Sequence, residues 1–180
     1  PEGLTRIESR AFWCCGLTSL VLPESVREIG EQAFEGCPIS DLSIPKGVTA
    51  IAEKAFFKCF RLQELNLPEG LTDIGRQAFS GCSSLKNLAL PASLNCIDGR
   101  AFSGCSGLNE VVIPDSVTEI GKEAFLGAAA EEFILPEGCT TIGERAFRGS
   151  GIISANIGNG VISIGEQAFA KCVSLTAINV

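Results

Sequence analysis

An Ala-Phe pair returns along this chain at an almost constant step. The phenylalanines fall at Phe12, Phe34, Phe56, Phe79, Phe102, Phe125, Phe147 and Phe169, separated by 22, 22, 23, 23, 23, 22 and 22 residues. Proline keeps the same step at Pro1, Pro23, Pro45, Pro68, Pro91, Pro114 and Pro136, with Gly158 in the eighth slot. Aligned on proline, one column is always isoleucine: Ile7, Ile29, Ile51, Ile74, Ile97, Ile120, Ile142 and Ile164. Self-similarity at a period of this length means an array of stacked supersecondary units. The chain is eight copies of one unit.

Within a copy, the residues before proline alternate with period two, as in Leu65-Asn66-Leu67, which reads as a strand. Proline ends it because it offers no ladder donor, and Pro-x-Gly suits a type I turn. A second short extended piece, such as Leu71 to Ile74, leads into a "GEQAF"-like segment. That segment is too short for a stable helix and predicts a single helical or 3₁₀ turn. Glycine two residues after phenylalanine (Gly36, Gly81, Gly104, Gly127, Gly149) permits a left-handed turn back. One coil cannot bury its own apolar face, so successive coils must stack. About five apolar positions per coil, each stabilising by ~1.5–3 kcal/mol on burial, make such a stack able to offset backbone ordering.

The unit "LxxLxLPxxLxxIxxxAFxxCxxL" resembles the BspA-type leucine-rich repeat over essentially the whole chain. The resemblance implies a right-handed, β-rich leucine-rich-repeat solenoid, with a parallel sheet of short strands on one face and single helical or 3₁₀ turns on the other. The domain reading is one domain over residues 1–180, eight repeats, expected to be a fragment of a longer protein because no capping unit is visible. Departures are local. Ala128 and Ser150 replace the usual cysteine, Cys139 replaces the Leu or Val after proline, and the sixth coil loses its leucine near "GAAAEEF". Ala130 and Phe133 are expected to fill that gap.

Composition removes several function classes. A net charge of −7 disfavours nucleic acid, whose phosphates need clustered Lys and Arg. No run approaches the ~18 apolar residues of a membrane span, so no membrane insertion by this segment is expected. With no histidine, a Ser-His-Asp or Cys-His site is impossible. There is no C-x-x-C pair, so no zinc site or other cofactor is expected. Carboxylate pairs could in principle hydrolyse glycosides, but the acids recur at outward positions, as on a solvated face. The chain is expected not to be an enzyme. An ice-binding ladder is set aside for want of a threonine column.

Six of the nine cysteines share one column: Cys15, Cys37, Cys59, Cys82, Cys105 and Cys172. Stacked equivalents carry parallel Cα–Cβ vectors about 4.8 Å apart, wider than the ~3.5–4.5 Å of a disulfide. The column therefore reads as small buried filler. Cys139 is also expected in the core, with Cys14 and Cys96 as exposed thiols.

Function is then sought where the repeat varies. Residues between the ladder leucines point outward and stack into an extended face. Its partner-binding candidates are Asp41, Glu64, Asn66, Asn87, Glu110, Val112, Glu132 and Ile134, acidic through the middle and suited to a basic or polar protein. The competing reading is that these carboxylates only keep a sheet soluble and unpaired. Trp13, Phe57 and Phe60 break otherwise polar columns, either as a second interface or as packing against a neighbouring segment. The family resemblance implies cell-surface or secreted microbial proteins, often adhesins contacting host proteins or other cells. An intracellular, cytoplasmic scaffold in a eukaryotic microbe is the alternative, because unpaired cysteines sit awkwardly in an oxidising exterior.

Overall fold

A computed structural model gives the fold of residues 3–179. Each coil carries a two-residue strand ending on the isoleucine column: β1 (Arg6–Ile7), β2 (Glu28–Ile29), β4 (Ala50–Ile51), β6 (Asp73–Ile74), β8 (Cys96–Ile97), β10 (Glu119–Ile120), β12 (Thr141–Ile142) and β14 (Ser163–Ile164). Seven coils add a three-residue strand, the first five of these ahead of a proline: β3 (Asp41–Ser43), β5 (Glu64–Asn66), β7 (Asn87–Ala89), β9 (Glu110–Val112), β11 (Glu132–Ile134), β13 (Ser154–Asn156) and β15 (Ala177–Asn179). All pairing is parallel and coil to coil. The isoleucine strands form ladders β1-β2 and β4 to β14. The longer strands form β3-β5 and β7 to β15. The anticipated solenoid is thus present, with two parallel ladders per coil where one sheet was foremost in the sequence reading. The longer-strand ladder is interrupted between β5 and β7, where Lys86 N–H reaches Gln63 O only at 3.4 Å. Ser19 and Val21, at the strand position of the first coil, lie outside any strand.

The core is a set of columns. Eight phenylalanine rings stack from Phe12 to Phe169, with centroids 5.1–5.6 Å apart and planes within 10° of parallel. That spacing is the offset-stacked range. It follows from backbone register, because each phenylalanine amide from Phe12 to Phe147 bonds the alanine carbonyl of the next coil, as Phe34 N–H does to Ala55 O at 2.8 Å. In the sixth coil, Phe133 replaces the ladder leucine and sits edge-on to Phe125 (5.1 Å) and Phe147 (4.8 Å). Phe133 and Ala130, the residues expected to take the place of the lost leucine, are both buried.

The "GEQAF" segment is not a helical turn, and no helix occurs among the described residues. The residue before alanine takes a positive φ in every coil: Arg10, Gln32, Lys54, Gln77, Arg100, Glu123, Arg145 and Gln167, at 55–61°. A left-handed residue cannot continue a right-handed helix. What it does is alternate the amides. Ala33, Glu35 and Cys37 bond carbonyls three residues back, while Gln32, Phe34 and Gly36 bond Glu53, Ala55 and Phe57 of the next coil. The turn becomes a third rung along the stack, which offsets the ~1–2 kcal/mol that a left-handed conformation costs an L-residue. Glycine after isoleucine has a different role. A Cβ on Gly143 would lie 2.7 Å from backbone atoms of Gly121, Ile120 and Lys122, so the coils could not stack this closely with a side chain there.

Candidate protein-binding surface

The three-residue strands β3, β5, β7, β9, β11 and β13 alternate exposed, buried, exposed, so the first and third residues of each form two outward columns. Parallel register sets Asp41 beside Glu64 and Ser43 beside Asn66, where the Asn66 amide donates to Ser43 Oγ at 3.1 Å. It also sets Asn87 beside Glu110, Glu110 beside Glu132, and Val112 beside Ile134. The eight sequence-derived residues therefore share one face, though the ladder break between β5 and β7 divides it.

Two features set coils five and six apart. Val112 and Ile134 are 47% and 51% exposed and lie side by side on paired strands; the other strand residues of this column are Ser43, Asn66, Ala89, Asn156 and Asn179, and the remaining apolar member, the exposed Val21 of the first coil, lies outside any strand. Beside Val112, between coils four and five, runs a shallow groove of about 360 Å³, lined by Ala89, Leu90, Val112 and Pro114, with Asn87 and Glu110 also contributing. Glu110 and Glu132 stand side by side at strand spacing, and neither has a basic partner among the described ion pairs.

The aromatic residues do not gather into one patch. Trp13 and Phe57 occupy one column two coils apart with Glu35 between them, while Phe60 belongs to another. Trp13 is 52% and Phe60 49% exposed; Phe57 is half-buried. Phe57 and Phe60 each carry a neighbouring cation, Lys58 Nζ at 5.2 Å and the Arg61 guanidinium at 6.0 Å from the ring centroids.

On the turn face the left-handed column obeys a rule that the sequence reading missed. Cations and acceptors alternate without exception: Arg10, Gln32, Lys54, Gln77, Arg100, Glu123, Arg145, Gln167. Arg10 Nε–H donates to Gln32 (2.9 Å), Arg100 to Glu123 (2.5 Å) and Arg145 to Gln167 (3.1 Å). Glu123 is buried, and the hydrogen bond from Arg100 holds its carboxyl below the usual range. Lys122 pairs with Glu144 at 2.6 Å on the same face. The signal was readable: the residue before each Ala-Phe pair switches type at every coil.

All nine cysteines are free. Five of the six column members are buried, and each donates its Sγ–H to the phenylalanine carbonyl of the preceding coil, at 3.0–3.4 Å for Cys37, Cys59, Cys82, Cys105 and Cys172. Burial pushes the Cys37, Cys59, Cys82 and Cys105 thiols away from ionising; Cys105 is raised to about 12. Such groups are not nucleophiles. Cys15 departs from the buried-filler expectation and is exposed, because no described coil precedes its own. Cys139 is buried, and Cys14 and Cys96 are exposed, as anticipated.

The threonine expectation also needs correction. Threonine recurs two residues before isoleucine at Thr5, Thr49, Thr72, Thr118 and Thr140, and Thr72 Oγ1–H bonds Thr49 O at 3.0 Å. Arg27, Asn95 and Ile162 interrupt that column, and charged Glu28, Asp73 and Glu119 flank it.

Residues 5–130 and 95–180 match the BspA type leucine rich repeat region, in six copies. The chain belongs to the BspA-type leucine-rich-repeat family. A leucine-rich repeat protein from Bacteroides ovatus superposes with a TM-score of 0.93 at 32% identity, covering 99% of this chain and 47% of the other. A leucine rich cell surface protein from Faecalibacterium prausnitzii gives 0.78 at 30% identity, covering 97% of this chain and 42% of the other. The T. pallidum leucine rich repeat protein gives 0.52 at 26% identity, over 78% and 58%. This BspA-type chain thus spans less than half the length of the first two structures. Among curated proteins, none matches it. No described helix is long and apolar enough to cross a membrane.

Proposed function

We propose that this chain is a non-enzymatic protein-binding module that works in surface recognition or adhesion through its longer-strand face. The observation that carries the reading is the exposed Val112–Ile134 pair, adjacent on paired strands beside two unpartnered carboxylates, where every other strand residue of the column is polar or small. Nothing in the stacking of coils calls for apolar residues there, and exposed apolar groups rimmed by polar ones mark interaction sites. The resemblance to a cell surface protein of Faecalibacterium prausnitzii supports placement at a microbial surface, facing host or cell-surface proteins. The test is capture of surface proteins on the immobilised chain, followed by Glu64→Lys with Glu110→Lys. Charge reversal is expected to weaken a captured partner at least about tenfold, the scale of 1.4 kcal/mol; unchanged affinity overturns the face as the site.

A second reading, an intracellular scaffold, is favoured by one observation. Nine unpaired thiols, three of them exposed, suit a reducing compartment.

A further inference from the structure

The groove beside Val112 and the carboxylate pair have spacings that specify more than "a basic partner". This inference rests on the sheet-face reading above. Glu110 and Glu132 are lateral neighbours on β9 and β11, and Val112 and Ile134 are lateral neighbours two residues further along the same strands. The acidic row and the apolar row are therefore separated by two strand residues, about 6.7 Å. An extended peptide lying along the strands has the same repeat, with side chains i and i+2 on its inner side. We infer that coils five and six bind an extended protein segment carrying an arginine and an aliphatic residue two positions apart. The guanidinium bridges Glu110 and Glu132, and the aliphatic side chain covers Val112 and Ile134; the groove lined by Ala89, Val112 and Pro114 borders this site on the coil-four side.

Arginine fits better than lysine for a geometric reason. Its planar fork presents donors in two directions and can serve two carboxylates about 4.8 Å apart, where a compact ammonium addresses one well. A cation placed between the two also offsets a like-charge juxtaposition that is unfavourable in the free protein. Nearby cations do not compete. Lys86 is the one basic residue on the flanking outward positions of coils four to six, and it forms no described ion pair with either carboxylate. The apolar row supplies the second half of the selectivity, since exposed β-branched residues gain by covering.

The probe is a fluorescein-labelled peptide with core Leu-Ser-Arg-Ser-Leu, which offers the two-residue spacing in either chain direction. Its control, Ser-Leu-Arg-Leu-Ser, has the same composition but throws leucine to the opposite side. Anisotropy titration of the 180-residue chain is expected to show the first binding at least tenfold tighter than the second. The Glu110→Gln/Glu132→Gln and Val112→Ser/Ile134→Ser variants should each lose at least tenfold, with thermal melting no lower than the parent's to show intact coils. Equal binding of the two peptides, or affinity untouched by either double variant, overturns the motif. If neither peptide binds while charge reversal at Glu64 and Glu110 still releases a captured surface protein, the motif fails and the sheet-face reading stands.

Discussion

The turn face and the longer-strand face solve the same electrostatic problem in opposite ways. On both, stacking brings equivalent side chains of successive coils to lateral contact, so a repeated charge would repel itself along the solenoid. On the turn face the sequence alternates cation and acceptor through all eight coils, and Glu123 sits between Arg100 and Arg145 at 2.5 and 3.8 Å. On the longer-strand face Glu110 abuts Glu132, and apolar Val112 and Ile134 lie beside them. A fold that can neutralise one column coil by coil does not need to leave another unneutralised. The difference separates residues that serve the stack from residues free to serve a partner.

The contrast can be broken most strongly at Glu123. Glu123→Lys places three cations in consecutive coils, one of them buried. Unfolding free energy in urea is expected to fall by about 3 kcal/mol, the lower end for an uncompensated buried charge because Arg100 and Arg145 remain partly exposed. The same reversal at Glu132, on the other face, should leave stability within about 0.5 kcal/mol. Equal losses at the two sites would erase the distinction.

The turn face also differs in its backbone. Its second left-handed slot, two residues after phenylalanine, holds Gly36, Gly81, Gly104, Gly127 and Gly149, but Cys14, Lys58 and Lys171 elsewhere. Gly104→Ala should destabilise by about 1–2 kcal/mol, the cost of the left-handed region to an L-residue. Lys58→Gly should do no harm, and an increase of up to about 0.5 kcal/mol in chemical denaturation is expected.

A gentler probe of Glu123 uses pH. Its folded-state carboxyl titrates below its ordinary value because Arg100 donates to it. A depressed pKa contributes stability that is present above the unfolded value of ~4.3 and lost as pH falls through the folded value. Glu123→Gln should therefore cost about 1 kcal/mol at pH 7, since Gln32, Gln77 and Gln167 already serve as acceptors in this column. The gap between variant and parent should close on acidification from pH 5 to pH 3. A gap independent of pH would mean that the ion pair is not the source.

Much of this architecture was legible because apolar columns repeat with the coil: Ile29, Phe34 and Leu65 announce the strands and the stack without help from tertiary context. The left-handed residue before alanine was hidden. Arginine, glutamine and lysine have no preference for that conformation, and it is imposed by the amide bond to the next coil, a partner 21 or 22 residues away. Reading the segment as a helical turn followed from treating it locally. The candidate face was legible as a face, since outward positions follow from period two at Glu110 and Val112. Its subdivision was not. The ladder break between β5 and β7 and the groove at Ala89 arise from how particular coils sit on each other. Exposure of Cys15 likewise reflects its place at one end of the described stack, which a column alignment treats as equivalent to the middle.

The smallest effect is the most discriminating. If Glu110 and Glu132 are kept for a partner at some expense to the fold, then Glu110→Gln with Glu132→Gln should stabilise the free protein by a few tenths of a kcal/mol, the scale of a cross-strand like-charge contact. Both side chains are solvated, so the gain should appear near 10 mM salt, where the screening length is ~30 Å, and vanish near 1 M, where it is ~3 Å. Paired urea titrations of parent and double variant at the two salt concentrations resolve the difference as a shift in midpoint at constant slope. A double variant less stable than the parent at low salt would assign the carboxylates to holding the strands. The longer-strand face would then resemble the turn face, and the case for a partner would rest on Val112 and Ile134 alone.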